Sequence, residues 1–339
     1  MINGRTVSNT EKFSFRFDLK FKMKLPQMQS VHRHLRSIFI GGNKMKIHPL
    51  NEEAIREIGW SDIYVSGYSK KVHIFHYLAG VNSKNIIVLH TPVTAVKNCY
   101  ECYEQLGRIY GFNVFAVDYV PGEGECSGET QDFTLLNMVA NLDAVYEYVC
   151  DHFSDDIHLL GYTGAGGIMA QYYLGTGRKF KSFAQFACGI YGDTTPLGLP
   201  KAFAKSAMGI LRLLVKIKPT LSMAFTPPAA KGYHAELDNE FYETILVRDP
   251  NFFALKINSF LRILECMAGK ESLLKVSVSC PTLVFKTLHD RYFSTNYFDR
   301  YYNTLICEKK LVEIDDIHNS YFITPEPFMK EIVAWVNCH

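Results

Sequence analysis

The chain has 339 residues, enough to bury a large core, and chains of this length often form one α/β sheet unit that carries an inserted segment. Hydrophobic residues make up 47% and charged residues 21%, and the formal net charge is +2. These values exclude a disordered chain or a membrane bundle and give no ground for a nucleic-acid or acidic partner.

Nine cysteines is an odd number, and no histidine spacing of the kind a zinc site needs accompanies them. They read as reduced thiols in a cytoplasmic protein, and no metal or cofactor is expected. No run approaches the roughly 18 consecutive apolar residues of a membrane span, and the N-terminus lacks the apolar run of a signal peptide. Aromatic residues reach 14%, which suits an enclosed apolar ligand and a dense core equally.

From Phe13 to Leu25 an apolar residue stands at every odd position and a polar one at every even position, the period of a β-strand. Its polar face carries Arg16, Lys20, Lys22 and Lys24 against Asp18, so this arm suits an anionic surface or pairing across a homodimer. A helix is expected over about Val31–Ile40, ending at Gly41-Gly42, and a second begins at Asn51. Residues 1–60 are therefore set apart as an N-terminal extension.

Near Asp62, DIYVSGY and KVHIFHYLAG read as two strands joined by a turn at Ser69 to Lys71. The near-continuous apolar runs NIIVLH, NVFAVDY, IHLLGY, FAQFACG and PTLVFKT follow, as expected for parallel strands buried on both faces. Helices fit between them at Cys99–Tyr110, Leu135–His152 and Ile168–Leu174, which predicts a mostly parallel α/β sheet flanked by helices. Between Asp193 and about Lys275 the rhythm changes to long helical stretches, KAFAKSAMGILRLLVKI and NFFALKINSFLRILECMAG, separated by the turn-rich PPAAKGYH. Residues 193–275 are expected to be an inserted helical cap, and residues 61–192 with 276–339 the core.

Three segments then carry a family resemblance. GFNVFAVDYVPGEGECSG resembles the strand and glycine loop of α/β-hydrolases of the monoglyceride-lipase and serine-aminopeptidase type, through Asp118, Gly122, Gly124, Ser127 and Gly128. Glycines there permit a tight positive-φ path, and these residues are given no chemical role. IHLLGYTGAGGIMAQYY resembles the nucleophile elbow, a sharp strand-to-helix turn with small residues, here Gly161 and Ala165, on either side of the nucleophile. The nucleophile position falls on Thr163, where relatives have serine, and the N–H of Gly164 would face a developing oxyanion. CPTLVFKTLHDRYFS and LVEIDDIHNSYF supply Asp290 as the acid and His318 as the base, in the chain order α/β-hydrolases use. Asp193, which follows an earlier strand, is the alternative acid, and His289, Asp315 and Asp316 read as solvated loop residues.

The resemblance implies that His318 takes the Thr163 proton while Asp290 fixes its tautomer. The second oxyanion donor is expected after NIIVLH, where the chain reads HTPVTA. Pro92 stands at that place without an N–H, so Val93, or the hydroxyl of Thr91 or Thr94, would replace it. The implied activity is hydrolysis or transfer of an apolar acyl group from an ester or thioester, a small-molecule substrate held under the cap. Non-covalent His318–Asp290 base catalysis of the lyase or cyclase type, and a catalytically silent ligand-binding protein, are the alternatives on the same fold.

Overall fold

The computed structural model describes residues 49–198, 200–224, 232–270 and 278–339. The strand expected over Phe13–Leu25, the helix over Val31–Ile40 and the dimer arm lie outside the described residues. Within them, an opening helix α1 (Glu52–Glu57) is capped by the side chain of Asn51, which accepts from Ala54 N at 3.1 Å.

Eight strands form one sheet: β1 (Trp60–Val65), β2 (Val72–Tyr77), β3 (Asn85–Leu89), β4 (Asn113–Asp118), β5 (Ile157–Tyr162), β6 (Phe183–Cys188), β9 (Thr282–Thr287) and β10 (Lys309–Ile314). Their spatial order is β1-β2-β4-β3-β5-β6-β9-β10. Only β2 runs against its neighbours, and every pairing from β4 to β10 is parallel. Successive side chains point to opposite faces, so the near-continuous apolar runs bury this sheet on both sides. On β4, Phe115 and Val117 pack with helix α3 (Leu135–His152), while Val114 and Ala116 pack on the opposite face, against the C-terminal helix α10 (Glu326–Cys338).

Several boundaries differ from the sequence expectation, among them the helix expected over Ile168–Leu174, which starts at Thr163. The helix expected over Cys99–Tyr110 is a 3-10 segment at Val96–Cys102 followed by α2 (Glu104–Arg108), broken at Tyr103, whose hydroxyl turns back to donate to Val96 O at 2.9 Å. The stretch from Asn251 is helical only over α7 (Ile257–Met267). Ahead of it, β8 (Ala254–Lys256) pairs antiparallel with β7 (Ser222–Ala224), a small ladder with no local sequence signature.

The segment between β6 and β9 holds α5 (Lys201–Ile217), α6 (Ala235–Arg248) and α7. Ala204 and Met208 of α5 pack with Leu261 and Leu264 of α7 in a small separate cluster. Phe241 and Ile245 of α6 instead join the main core, so this insert is fixed to the sheet domain along that helix. Among the described residues, no helix is long and apolar enough to cross a membrane.

The glycine loop after β4 has a structural basis. Asp118 accepts from the backbone N–H of Val96 and of Glu125, both at 3.0 Å, and from Nδ1 of His73 at 2.8 Å. Gly124 has φ +54°, and a Cβ there would lie 2.3 Å from Asp118 Oδ1, so only glycine lets the loop fold over the carboxylate.

Candidate active site

Strand β5 ends at Tyr162 in extended conformation, and the next residue, Thr163, has φ 48°. Gly164 follows at φ 2° and ψ −76°, and α4 (Thr163–Leu174) then runs back along the sheet. The left-handed region is costly for a β-branched residue, on the order of 1–3 kcal/mol, so Thr163 is held there by its surroundings. Those surroundings are small residues. A Cβ on Gly166 would meet Leu89 O at 2.5 Å, and one on Gly167 would meet Cys188 Sγ at 2.2 Å. The helix therefore starts in direct contact with β3 and β6. Ala165 is accommodated and buried, and Gly161 sits under Gly167.

Thr163 is itself buried, and among the described residues its Oγ1 has no hydrogen-bond partner, His318 included. A buried hydroxyl without a partner costs about 1–3 kcal/mol, an arrangement that structures retain at reactive positions more readily than elsewhere. As one of the first residues of α4, Gly164 has no acceptor for its N–H within the helix.

The last two parallel strands bring two loops together. Thr287 pairs with Ile314 at the ends of β9 and β10, and pairing continues beyond them, with Leu288 N donating to Ile314 O and His289 N to Asp316 O, both at 3.0 Å. Asp290 and His318 lie just past this point, with His318 Nδ1 2.7 Å from Asp290 Oδ2. The Asp290 side chain is wholly buried and its other contacts are donors: the backbone N–H of Tyr292 at 2.7 Å and of Phe293 at 2.9 Å, and Thr287 Oγ1 at 3.1 Å. An acceptor so surrounded takes the Nδ1 proton of His318, which leaves Nε2 as the lone-pair nitrogen of the neutral ring. The ring lies beside Tyr292 and Phe293, with centroids 4.5 and 5.7 Å away.

Asp193 is placed elsewhere. Its Oδ2 pairs with Arg300 at 2.7 Å and its Oδ1 accepts from Thr195 N at 2.8 Å. Asp316 is half-buried, accepting from Ile317 N at 2.7 Å at the start of the histidine loop, whereas His289 and Asp315 pair at 2.9 Å on the surface.

The loop after β3 folds as a tight turn around Pro92, in which Val93 N donates to Thr91 O at 2.9 Å. That N–H is therefore committed within its own loop. Thr94 is buried and accepts from Asn98 Nδ2 at 2.9 Å. His90, at the start of the loop, is fully buried; burial pushes its pKa down to about 4, so the ring is neutral. Its Nδ1 approaches Thr91 O at 3.3 Å, and its Nε2 has no partner among the described residues.

A second layer, absent from the sequence reading, surrounds the Asp290–His318 pair. Asp238 of α6 pairs with Arg291, the residue after Asp290, at 2.9 Å and accepts from Asn319, the residue after His318, at 2.7 Å. Tyr242 and Tyr292 share a hydroxyl–hydroxyl hydrogen bond, and the Arg291 guanidinium lies over both rings. Closeness in the chain to Asp290 and His318 is the only sequence signal that Arg291, Tyr292 and Asn319 carry, and Asp238 and Tyr242 carry none.

Elsewhere, Asp62, His73 and Glu125 each offer a ligand atom, all within 4.8 Å of one another. His73 already has Nε2 against Asp62 and Nδ1 against Asp118, both at 2.8 Å, and Lys97 is paired with Glu125. Burial alone would lower the pKa of His73, but the hydrogen bonds and charges of the carboxylates outweigh it and raise it, so the group reads as a self-neutralised ionic network. Cys99 and Cys102 form a Cys-x-x-Cys pair, but both are buried free thiols whose pKa burial pushes up, the opposite of a reactive cysteine.

No protein-family model matches the sequence, and no curated protein matches it. Solved structures do match the fold. An esterase from Exiguobacterium antarcticum aligns with a TM-score of 0.59 over 82% of this chain and 100% of its own, at 13% identity. A monoacylglycerol lipase from Paleococcus ferrophilus aligns with a TM-score of 0.58 over 78% of this chain and 98% of its own, at 17% identity. A thioesterase domain from the curacin biosynthetic pathway aligns at 0.54 over 81% and 99%, at 14% identity. At such identities the likeness concerns architecture, and with the eight-stranded sheet, the strand-to-helix elbow and the paired loops after β9 and β10 it gives one conclusion: the chain has the α/β-hydrolase fold.

Proposed function

We propose that this protein is an acyl hydrolase or acyltransferase that takes an apolar acyl group from an ester or thioester through an acyl-Thr163 intermediate. The reading rests above all on the elbow, a buried hydroxyl at φ 48° with no hydrogen-bond partner among the described residues. Strain and an unsatisfied polar atom at one residue are both unfavourable for folding, and both are explained if that oxygen is reserved for chemistry. The esterases, lipase and thioesterase among the similar structures support the reaction class.

In this mechanism His318 Nε2 removes the Thr163 proton as Oγ1 attacks the acyl carbonyl. Asp290 holds the Nδ1–H tautomer and stabilises the imidazolium. The Gly164 N–H receives the developing oxyanion. The leaving alcohol or thiol takes the proton from His318, and water or a second acceptor then releases the acyl group by the reverse sequence.

One observation favours a second reading. Val93 N is committed to Thr91 O, which leaves the oxyanion without a second backbone donor unless the Pro92 turn opens. Losing one such donor costs about 2.7–4 kcal/mol of transition-state stabilisation. The alternative, proton abstraction by His318 and Asp290 without an acyl-enzyme, needs no such donor.

Intact-protein mass spectrometry after exposure to a fluorophosphonate and a panel of acyl esters and thioesters separates the two. The expected result is an adduct that maps to Thr163 and is absent from Thr163→Ala. If every reagent leaves the mass unchanged in a folded protein, the acyl-enzyme reading is wrong and His318 base chemistry replaces it.

A further inference from the structure

Helix α5 has two apolar faces, and among the described residues only one of them is packed. Ala204 and Met208 point into the cluster with α7, but Phe203, Ile210, Leu213 and Ile217 are 59%, 65%, 59% and 72% exposed. At about 100° per residue these four side chains fall within an arc of roughly 80° and form a continuous stripe about 21 Å long. Isolated exposed apolar residues are ordinary, whereas an aligned row of four large ones on a single helix marks a contact surface.

The surrounding charge selects the partner. Between Asp193 and Glu236 the chain contains six Lys and Arg residues and no acidic residue. Lys205 and Lys216 are exposed and lie about 100–125° around the helix from the middle of the stripe, where an interfacial helix places its basic residues at headgroup level. The sequence of the first 48 residues has the same bias, with ten Lys and Arg against only Glu11 and Asp18, although the whole chain has a net charge of +2. Charge of one sign concentrated in two apolar-basic stretches is what an anionic bilayer surface attracts, and two modest anchors hold a protein where one does not. A second copy of this helix would bring like charges together.

We propose that the exposed face of α5 docks on an anionic lipid surface, with Phe203, Ile210, Leu213 and Ile217 entering the headgroup–acyl boundary and Lys205 and Lys216 contacting lipid phosphates. This docking does not depend on the chemistry assigned to Thr163.

The test is sedimentation of the full chain with phosphatidylcholine vesicles containing phosphatidylserine, with pure phosphatidylcholine vesicles as the reference. The wild-type protein is expected to bind the anionic vesicles, less so as salt is raised. The double variant Ile210→Asp/Leu213→Asp, shown by circular dichroism to be folded, should lose at least about tenfold in partitioning. Lys205→Glu/Lys216→Glu should weaken binding while leaving the stripe intact. Three results overturn the proposal: no binding by the wild-type chain; unchanged binding by the Ile210/Leu213 variant while reversal of Lys20, Lys22 and Lys24 abolishes it; or a concentration-dependent dimer, seen by analytical ultracentrifugation, that the Ile210/Leu213 variant dissociates.

Discussion

Asp238 accepts a 2.7 Å hydrogen bond from Asn319, so a helix of the inserted segment is tied directly to the residue that follows His318. The other oxygen of the same carboxylate is 2.9 Å from Nε of Arg291, the residue that follows Asp290. One buried side chain therefore spans the two loops whose meeting forms the Asp290–His318 pair.

Truncating it should loosen that pair. Asp238→Ala leaves the Arg291 guanidinium in a largely buried site without this carboxylate, a change that costs about 3–5 kcal/mol. Urea denaturation should register the loss. A purely structural role would stop there, so the informative readout is the downfield proton resonance of His318 Nδ1–H. It is expected to be sharp in the wild-type protein, broadened in Asp238→Ala, and absent in Asp290→Asn. A sharp, unshifted signal in a folded Asp238→Ala protein would show that the two loops hold their geometry unaided.

Thr163 leads to a second prediction because its costs come from two separable atoms. Thr163→Ser keeps the hydroxyl and removes the branch that is unfavourable at φ 48°, so stability should rise by about 1 kcal/mol. Labelling by a fluorophosphonate should become faster. Thr163→Ala removes the unpartnered hydroxyl as well and should be at least as stable while losing all labelling. If both variants prove less stable than wild type in urea, the residue is neither strained nor unsatisfied in solution, and the argument for a reserved nucleophile collapses.

The parts of this site that were legible in the sequence are those encoded locally. Near-continuous apolar runs mark β3 to β6 and β9, and GYTGAGG marks the elbow because a helix starting in contact with two strands requires glycine at fixed spacing. The order of Asp290 and His318 along the chain follows from the strands that precede them. Asp238 was invisible because a lone aspartate in a helix carries no signal until the insert folds back over both loops. The three-residue ladder of β7 and β8 was missed because its pairing joins segments far apart, and periodicity within one window cannot sense that. The commitment of Val93 N to Thr91 O depends on the turn adopted around Pro92, which residue identities alone did not determine.

The close approach of α4 to the sheet can be tested without any assay of function. Gly166→Ala would place a Cβ 2.5 Å from the carbonyl oxygen of Leu89, a backbone atom of a central strand that cannot yield, so the variant should lose about 3 kcal/mol or fail to fold. Gly167→Ala instead meets the side chain of Cys188, with Sγ at 2.2 Å and Cβ at 2.3 Å. Removing both atoms should relieve the clash. The double variant Gly167→Ala/Cys188→Gly is expected to recover at least about 1 kcal/mol relative to the sum of the single changes, a coupling that a double-mutant cycle in urea measures directly. Strict additivity would mean that the helix shifts to accommodate the methyl group and that its contact with β6 is not tight.

Buried histidines should make stability depend on pH with opposite signs, as His90 and His73 illustrate. His90 has a folded pKa of about 4 against about 6.5 when unfolded, so the unfolded chain binds the proton first as pH falls. Its contribution is complete above pH 6.5 and is lost between about 6.5 and 4, amounting to roughly 3 kcal/mol at 1.36 kcal/mol per unit. His73 behaves in reverse. Its pKa is raised by Asp118 and Asp62 despite its burial, so its contribution is complete below about pH 6.5 and is lost as pH rises through the elevated value. Urea midpoints measured from pH 4 to pH 9 should therefore fall at both ends. His90→Asn should make the acid limb shallower, the remainder coming from His158, whose pKa burial also pushes down to about 4, and His73→Asn should flatten the alkaline limb. An acid limb unchanged in His90→Asn would mean that the buried ring takes up a proton with little penalty and is less enclosed in solution than its fully buried position implies.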